Sequence, residues 1–273
     1  MEEQLHDESE HARRESESAH SLSTDVQTPS FHNTGDVVGA VFRLYRDKFL
    51  SLIKIIAVLA IPLVVAQHFL LSSFGSPYAE IISAVSSAVA EALLSGALIY
   101  AVMIFLRTGS FPTLADSYRW GFKRWGRVIL CSVLFKLIVI AGTVALVIPG
   151  IIFSLMFALV IPIAVVERTS AKKTFDRSSN LTKNYRWQIF VTYFLFGLVI
   201  IVITLFTTFS LGGSGMESSL PFALAQGLIT LLLESSSTVL TLFIYLGILR
   251  DLKQAPPPAY VRVGASGAPP LDD

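Results

Sequence analysis

Long apolar blocks alternate with short basic, aromatic segments along this chain, and the longest block organises the rest. Residues 128–166 run 39 positions with one formal charge, Lys136. As a single helix they would extend about 58 Å at 1.5 Å per residue, roughly twice a bilayer core. Pro149-Gly150 offers a way to fold the block back, since Pro interrupts the backbone ladder and Gly tolerates a sharp turn. The pattern therefore predicts two spans, 128–148 and 151–166. Four further blocks read as spans at 49–71, 78–106, 189–211 and 220–249, which makes six.

The polar stretches between the blocks carry a second period. Over 35–48, Val38, Val41, Phe42 and Tyr45 recur at helical spacing towards Phe49, while Arg43, Arg46 and Lys48 take the remaining arc. Such a helix can lie in the headgroup plane with its aromatic face down. The pattern returns at 113–127, where Leu114, Tyr118, Phe122 and Trp125 form one face and Arg119, Lys123 and Arg127 another. Thr113 with Asp116 predicts a capping arrangement at its start. A third basic stretch, 167–187, contains Lys172, Lys173, Arg177 and Arg186.

A basic–aromatic pair stands before each odd-numbered span: Lys48-Phe49, Arg124-Trp125 and Arg186-Trp187. Glu91 precedes Arg107 by 16 positions, and Glu234 precedes Arg250 by the same 16. The fold class expected is an all-α polytopic membrane protein with three parallel hairpin repeats, each led by an amphipathic interfacial helix. Only two copies keep the acid.

Composition agrees. Hydrophobic residues make up 53% of 273 and charged residues 15%, against about 25% charge in an ordinary soluble domain. The net charge of +1 conceals a segregation that orients the chain. Of the 21 lysines and arginines, and leaving aside Arg13 and Arg14 of the first tail, 17 fall in residues 35–48, between the second and third spans, between the fourth and fifth, or after the sixth. The three opposite links hold none. By the positive-inside rule both termini and the larger loops are expected in the cytoplasm, with the chain in the bacterial inner membrane. Residues 1–34, with eight acidic side chains, and the Pro, Gly and Ala-rich residues 254–273 read as disordered tails. The histidines of the first tail, His6, His11, His20 and His32, lack the ordered spacing of a zinc site.

The run Ile148-Pro149-Gly150, Pro162, Glu167, Ala171, Arg177-Ser178, Leu181, Trp187 and Phe190 resembles the hallmark of a family of bacterial six-span proteins. That family includes the membrane domain attached to some glycerophosphoryl diester phosphodiesterases and the related YciC-like inner-membrane proteins. The resemblance implies a six-span inner-membrane domain over about 35–253 and supplies no ligand site to carry over. The phosphodiesterase-linked members have a soluble catalytic domain, which the tails of about 34 and 20 residues seen here are not expected to supply.

Chemistry is sparse. Templates for metalloprotease, serine hydrolase, P-loop or dinucleotide sites are missing from the sequence, so no enzyme activity and no cofactor or metal is expected. The lone Cys131 makes no disulfide within the chain. The basic segments flank spans, so membrane explains them better than nucleic acid. Glu91, Glu234 and Lys136 form the candidate intramembrane polar site. An ionisable side chain at a helix centre costs about 2.5–3.5 kcal/mol to insert and is functional by default. In one reading the acids line a water-accessible cavity with Lys136; in the other, neighbouring serines such as Ser95 and Ser235 hydrogen-bond them and spans two and six pack closely. Lys136 is expected to snorkel inwards or to meet a glutamate. The candidate headgroup belt comprises Arg43, Arg46, Lys48, Arg119, Lys123, Arg124, Arg127, Lys172, Lys173, Arg177 and Arg186.

The leading expectation is a non-enzymatic membrane protein acting through anionic lipid headgroups, a second copy or a partner membrane protein. The alternative is a small transporter or channel using Glu91, Glu234 and Lys136. A cavity reaching both acids favours the alternative; a dry bundle favours the scaffold.

Overall fold

A computed structural model describes residues 34–73, 78–167, 169–212 and 220–252. Thr34 apart, both expected tails lie outside the described residues, as do the four histidines of the first. The described residues are mostly helical, without strands: α1 (Thr34–Ser73), α2 (Tyr78–Thr108), α3 (Leu114–Phe122), α4 (Trp125–Ala145), α5 (Val147–Met156), α6 (Val160–Val166), α7 (Ala171–Thr182), α8 (Arg186–Gly212) and α9 (Leu220–Asp251). Six segments are long and apolar enough to cross a bilayer, the fourth being α5 and α6 together over Val147–Val166. A helix satisfies its backbone internally, which hydrocarbon demands of any span. The chain is a multi-pass membrane protein.

Three boundaries depart from the sequence pattern, each for a physical reason. Lys48 leaves helical geometry (φ −125°, ψ 25°), so α1 consists of a segment before it and an apolar rod after it. The central turn falls at Leu146 (φ −166°, ψ 143°) and not at Pro149-Gly150. Pro149 is the third residue of α5, inside the first turn, where an amide hydrogen has no helical acceptor and its loss is harmless. Gly150 serves contact: a Cβ there would stand 2.9 Å from the Thr143 Cα, so only glycine lets α5 close on α4.

The fourth span is also broken, since Phe157 and Leu159 leave the helical path between α5 and α6. Non-helical backbone at such depth needs partners from protein. Ser178 of α7 supplies them, donating to the Met156 carbonyl (3.1 Å) and accepting from the Leu159 amide (3.3 Å). The Thr182 hydroxyl lies 3.1 Å from the same carbonyl. Ser178 is fully buried.

The centre of the bundle is α2. Of its apolar window 72% is buried, against 17% for α4 and α8, so α2 is enclosed while α4 and α8 form the outer wall. Gly96 of α2 meets Gly121 of α3 backbone to backbone; a Cβ on Gly96 would lie 3.0 Å from the Gly121 Cα. The Trp120 ring stacks on Tyr100 at 4.9 Å, with the Arg124 guanidinium 3.8 Å from the Trp120 ring centroid. Thr113 caps α3 by accepting the Asp116 amide at 3.2 Å, as its sequence predicts. The buried face of α3 is Ser117, Trp120 and Gly121, whereas Leu114, Phe122 and Trp125 point outward. Against α1, α9 makes its broadest packing, pinned by Tyr45 to Ser235 at 2.8 Å. It touches α8, its neighbour in sequence, only sparsely. The third pair of spans is thus splayed where the first two are closed.

Candidate functional site

Both acids stand where their helices change character. On α2, residues 92–103 are all buried and Glu91 is the first position outside that run. On α9, Ser235 and Ser236 begin a run, interrupted only at 237 and 238, that stays buried to Leu249, and Glu234 is the exposed residue before it. Each carboxylate thus stands at the level where the buried half of its own helix begins.

At that level lies a cavity of about 630 Å³, within the size range of small-molecule sites. Glu91, Lys136 and Glu234 all line it. From α9 come Glu234, Ser237, Thr238 and Thr241, whose spacing puts them on one face. From α8 come Phe190, Tyr193 and Phe194 on the same principle. Ile151, Ser154 and Leu155 of α5, Ala158 at the break, and Pro162 of α6 complete the wall together with Phe135 of α4.

The Lys136 Nζ stands 2.6 Å from Glu91 Oε2, a direct ion pair between α4 and α2. Of the two expected fates of Lys136, meeting a glutamate is the one observed. The Glu234 carboxylate has no hydrogen bond or ion pair among the described residues, although the charges of Glu91 and Lys136 both act on it. No serine hydrogen-bonds either acid there: Ser235 turns to Tyr45 and the Leu232 carbonyl, and Ser236 to the Leu233 carbonyl. One negative charge therefore remains unmatched in the cavity.

A second cavity, about 370 Å³, adjoins the first and shares Tyr193, Glu234 and Ser237 with it. It follows the gap between α8 and α9 to Thr204, Thr207 and Gln226. From Gln226 to Thr241 the two cavities track about 22 Å of α9, most of a bilayer core. Towards the basic loops the track stops. The Tyr193 hydroxyl meets Thr241 Oγ1 at 2.7 Å. One turn further, the buried Tyr245 donates to Glu167 Oε1 at 2.7 Å, and the Arg177 Nε reaches that oxygen at 3.4 Å. Arg127 holds the Glu167 carbonyl at 3.2 Å.

The eleven basic belt residues divide. Arg43, Arg46, Arg119, Lys123, Lys172 and Lys173 are exposed at one end of the bundle, Arg46 beside Asp47 at 2.9 Å. The others are engaged or half-buried: Lys48 lies over the Phe105 ring, Arg124 over Trp120, Arg127 and Arg177 bind Glu167, and Arg186 is partly covered.

Tyr193, Thr241, Tyr245 and Glu167 were not singled out as site residues by their sequence. Their signal was weak, because a tyrosine or threonine in a span is ordinary and Glu167 falls just outside one. Among the described residues no cluster of three or more metal-ligating side chains occurs. No family model, curated protein or solved structure matches the chain, so the site is read from its own geometry.

Proposed function

We propose that this protein is a small non-enzymatic transporter of the bacterial inner membrane, with its cargo site at Glu91, Lys136 and Glu234. The observation that carries this reading is the cavity itself, on which all three ionisable side chains converge. An unmatched carboxylate within a span costs about 2.5–3.5 kcal/mol to insert, which favours a cavity that holds water or a ligand over a scaffold acting through lipid and partner contacts alone.

The proposed cycle needs one mobile wall. Its sparse packing against α9 suits α8 to that part, while α1, α2 and α9 form the fixed body. Tyr193–Thr241 and Tyr245–Glu167–Arg177 act as the barrier on the side of the basic loops. The positive-inside rule puts those loops, both termini and the exposed basic belt in the cytoplasm, where anionic headgroups anchor the bundle. The bundle uses a parallel correspondence of α2 and α9, in contrast to the inverted repeats of many transporters.

Thiol labelling tests the reading. In a Cys131→Ala background, Ser154→Cys and Ser237→Cys are exposed to a charged, membrane-impermeant methanethiosulfonate in sealed vesicles. Both are expected to react from at least one side. Failure of either to react from both sides means a dry bundle and overturns the proposal.

A further inference from the structure

Resting on that transport reading, we infer that the cavity takes an organic cation: an onium group carried on an apolar body. Charge comes first. Lys136 and Glu91 neutralise each other at 2.6 Å, so the negative charge a ligand meets is that of Glu234. An anion would face that carboxylate with Lys136, the only lysine among the described lining residues, already engaged.

The wall distinguishes an organic cation from a metal ion. Hard cations take six to eight oxygens or an ordered water shell. Among the described residues no three His, Cys, Asp or Glu side chains gather for a metal, and beside the Ser154, Ser237, Thr238 and Thr241 hydroxyls the wall offers the rings of Phe135, Phe190, Tyr193 and Phe194. Aromatic faces attract cations through their quadrupole and cover the apolar substituents that such cations carry. The volume, about 630 Å³, suits a ligand of many heavy atoms better than a bare ion.

The rings also extend beyond the cavity. Trp187 stacks on Phe190 at 5.5 Å and 27°, and Phe190 on Phe194 at 6.0 Å and 22°. This ladder runs along one face of α8 from its basic end to the cavity wall. It gives a flat or phenyl-bearing cation a continuous surface to move along, past the barrier that Tyr245 and Glu167 form on α9.

Tetraphenylphosphonium and tetraphenylborate have the same shape and opposite charge, which makes them the probes. Binding of each to the purified full chain is measured by equilibrium dialysis against matched protein-free micelles. Glu234→Gln and, as a charge-preserving second variant, Phe194→Leu are compared with wild type, each checked for unchanged helical dichroism. The expected result is protein-dependent binding of tetraphenylphosphonium alone, weakened at least tenfold in Glu234→Gln and about threefold in Phe194→Leu. Equal binding of both probes, no binding of the cation, or cation binding unchanged in Glu234→Gln overturns the inference. The transport reading survives that outcome if the cavity cysteines still react with the water-soluble reagent, and falls separately if they do not.

Discussion

Towards the basic loops, α2 is buried over 92–103, α9 is closed over 239–249, and Gly96 and Gly121 bring α2 and α3 into backbone contact. On the other side of Glu91 and Glu234 the same two helices turn partly exposed faces to cavities, α8 stands apart from α9, and packing is tight mainly at the Val64–Gly227 seam. Composition does not separate these halves; both are apolar and rich in small residues. What differs is pairing. In the closed half Tyr45 meets Ser235 and Tyr245 meets Glu167, although the buried Trp120 Nε1 has no hydrogen-bond partner, while the open half keeps Glu234 unmatched. A bundle that is rigid at one end and open at the other can hold a site without losing its fold.

The sharpest way to break this contrast is to overfill each half. Gly121→Leu forces a side chain into a space where even a Cβ would lie 3.2 Å from the Leu93 carbonyl oxygen. It should cost 3 kcal/mol or more, at about the upper end for overpacking, and prevent recovery of monodisperse protein in detergent. Thr204→Leu, at the rim of the second cavity, should stay within about 0.5 kcal/mol of wild type in the same thermal unfolding assay. Equal damage from both would mean that the open half is packed after all.

A smaller effect is expected at the barrier. Glu167→Ala removes the acceptor shared by Tyr245 and Arg177 and should cost about 1–3 kcal/mol, read as a lower unfolding midpoint. In the cavity, Glu91→Gln and Lys136→Met each break the ion pair. A double-mutant cycle should give a coupling of only about 0.2–1 kcal/mol, because both side chains face an open space. A coupling above about 3 kcal/mol would place the pair in a dry interior instead.

A pH dependence is also expected in the closed half. Burial pushes the Tyr118 hydroxyl up to about 12, and it donates to the Ile55 carbonyl. The unfolded chain releases this proton near pH 10, before the folded one does, so the contribution is complete below pH 10 and is lost as pH rises towards 12. Alkaline unfolding of Tyr118→Phe should lack that component, at a cost of about 1 kcal/mol at neutral pH.

Much of this was legible along the chain. Apolar length alone specifies six spans, because a bilayer sets one helix length and forbids unpaired backbone. The Thr113 cap of α3 was legible too, because it depends on residues three apart. Tertiary structure decided the rest. Pro149-Gly150 reads locally as a turn, yet the fold uses Pro149 in a first helical turn and Gly150 as a contact, and only the approach of Thr143 reveals which. The break at Phe157 depends on Ser178, 21 positions away. Whether the two acids would find serines, a lysine or nothing depended on how α2, α4, α8 and α9 rotate about their axes. Hydropathy in a span that faces both lipid and protein carries almost no record of that rotation, because lipid and core ask for the same side chains.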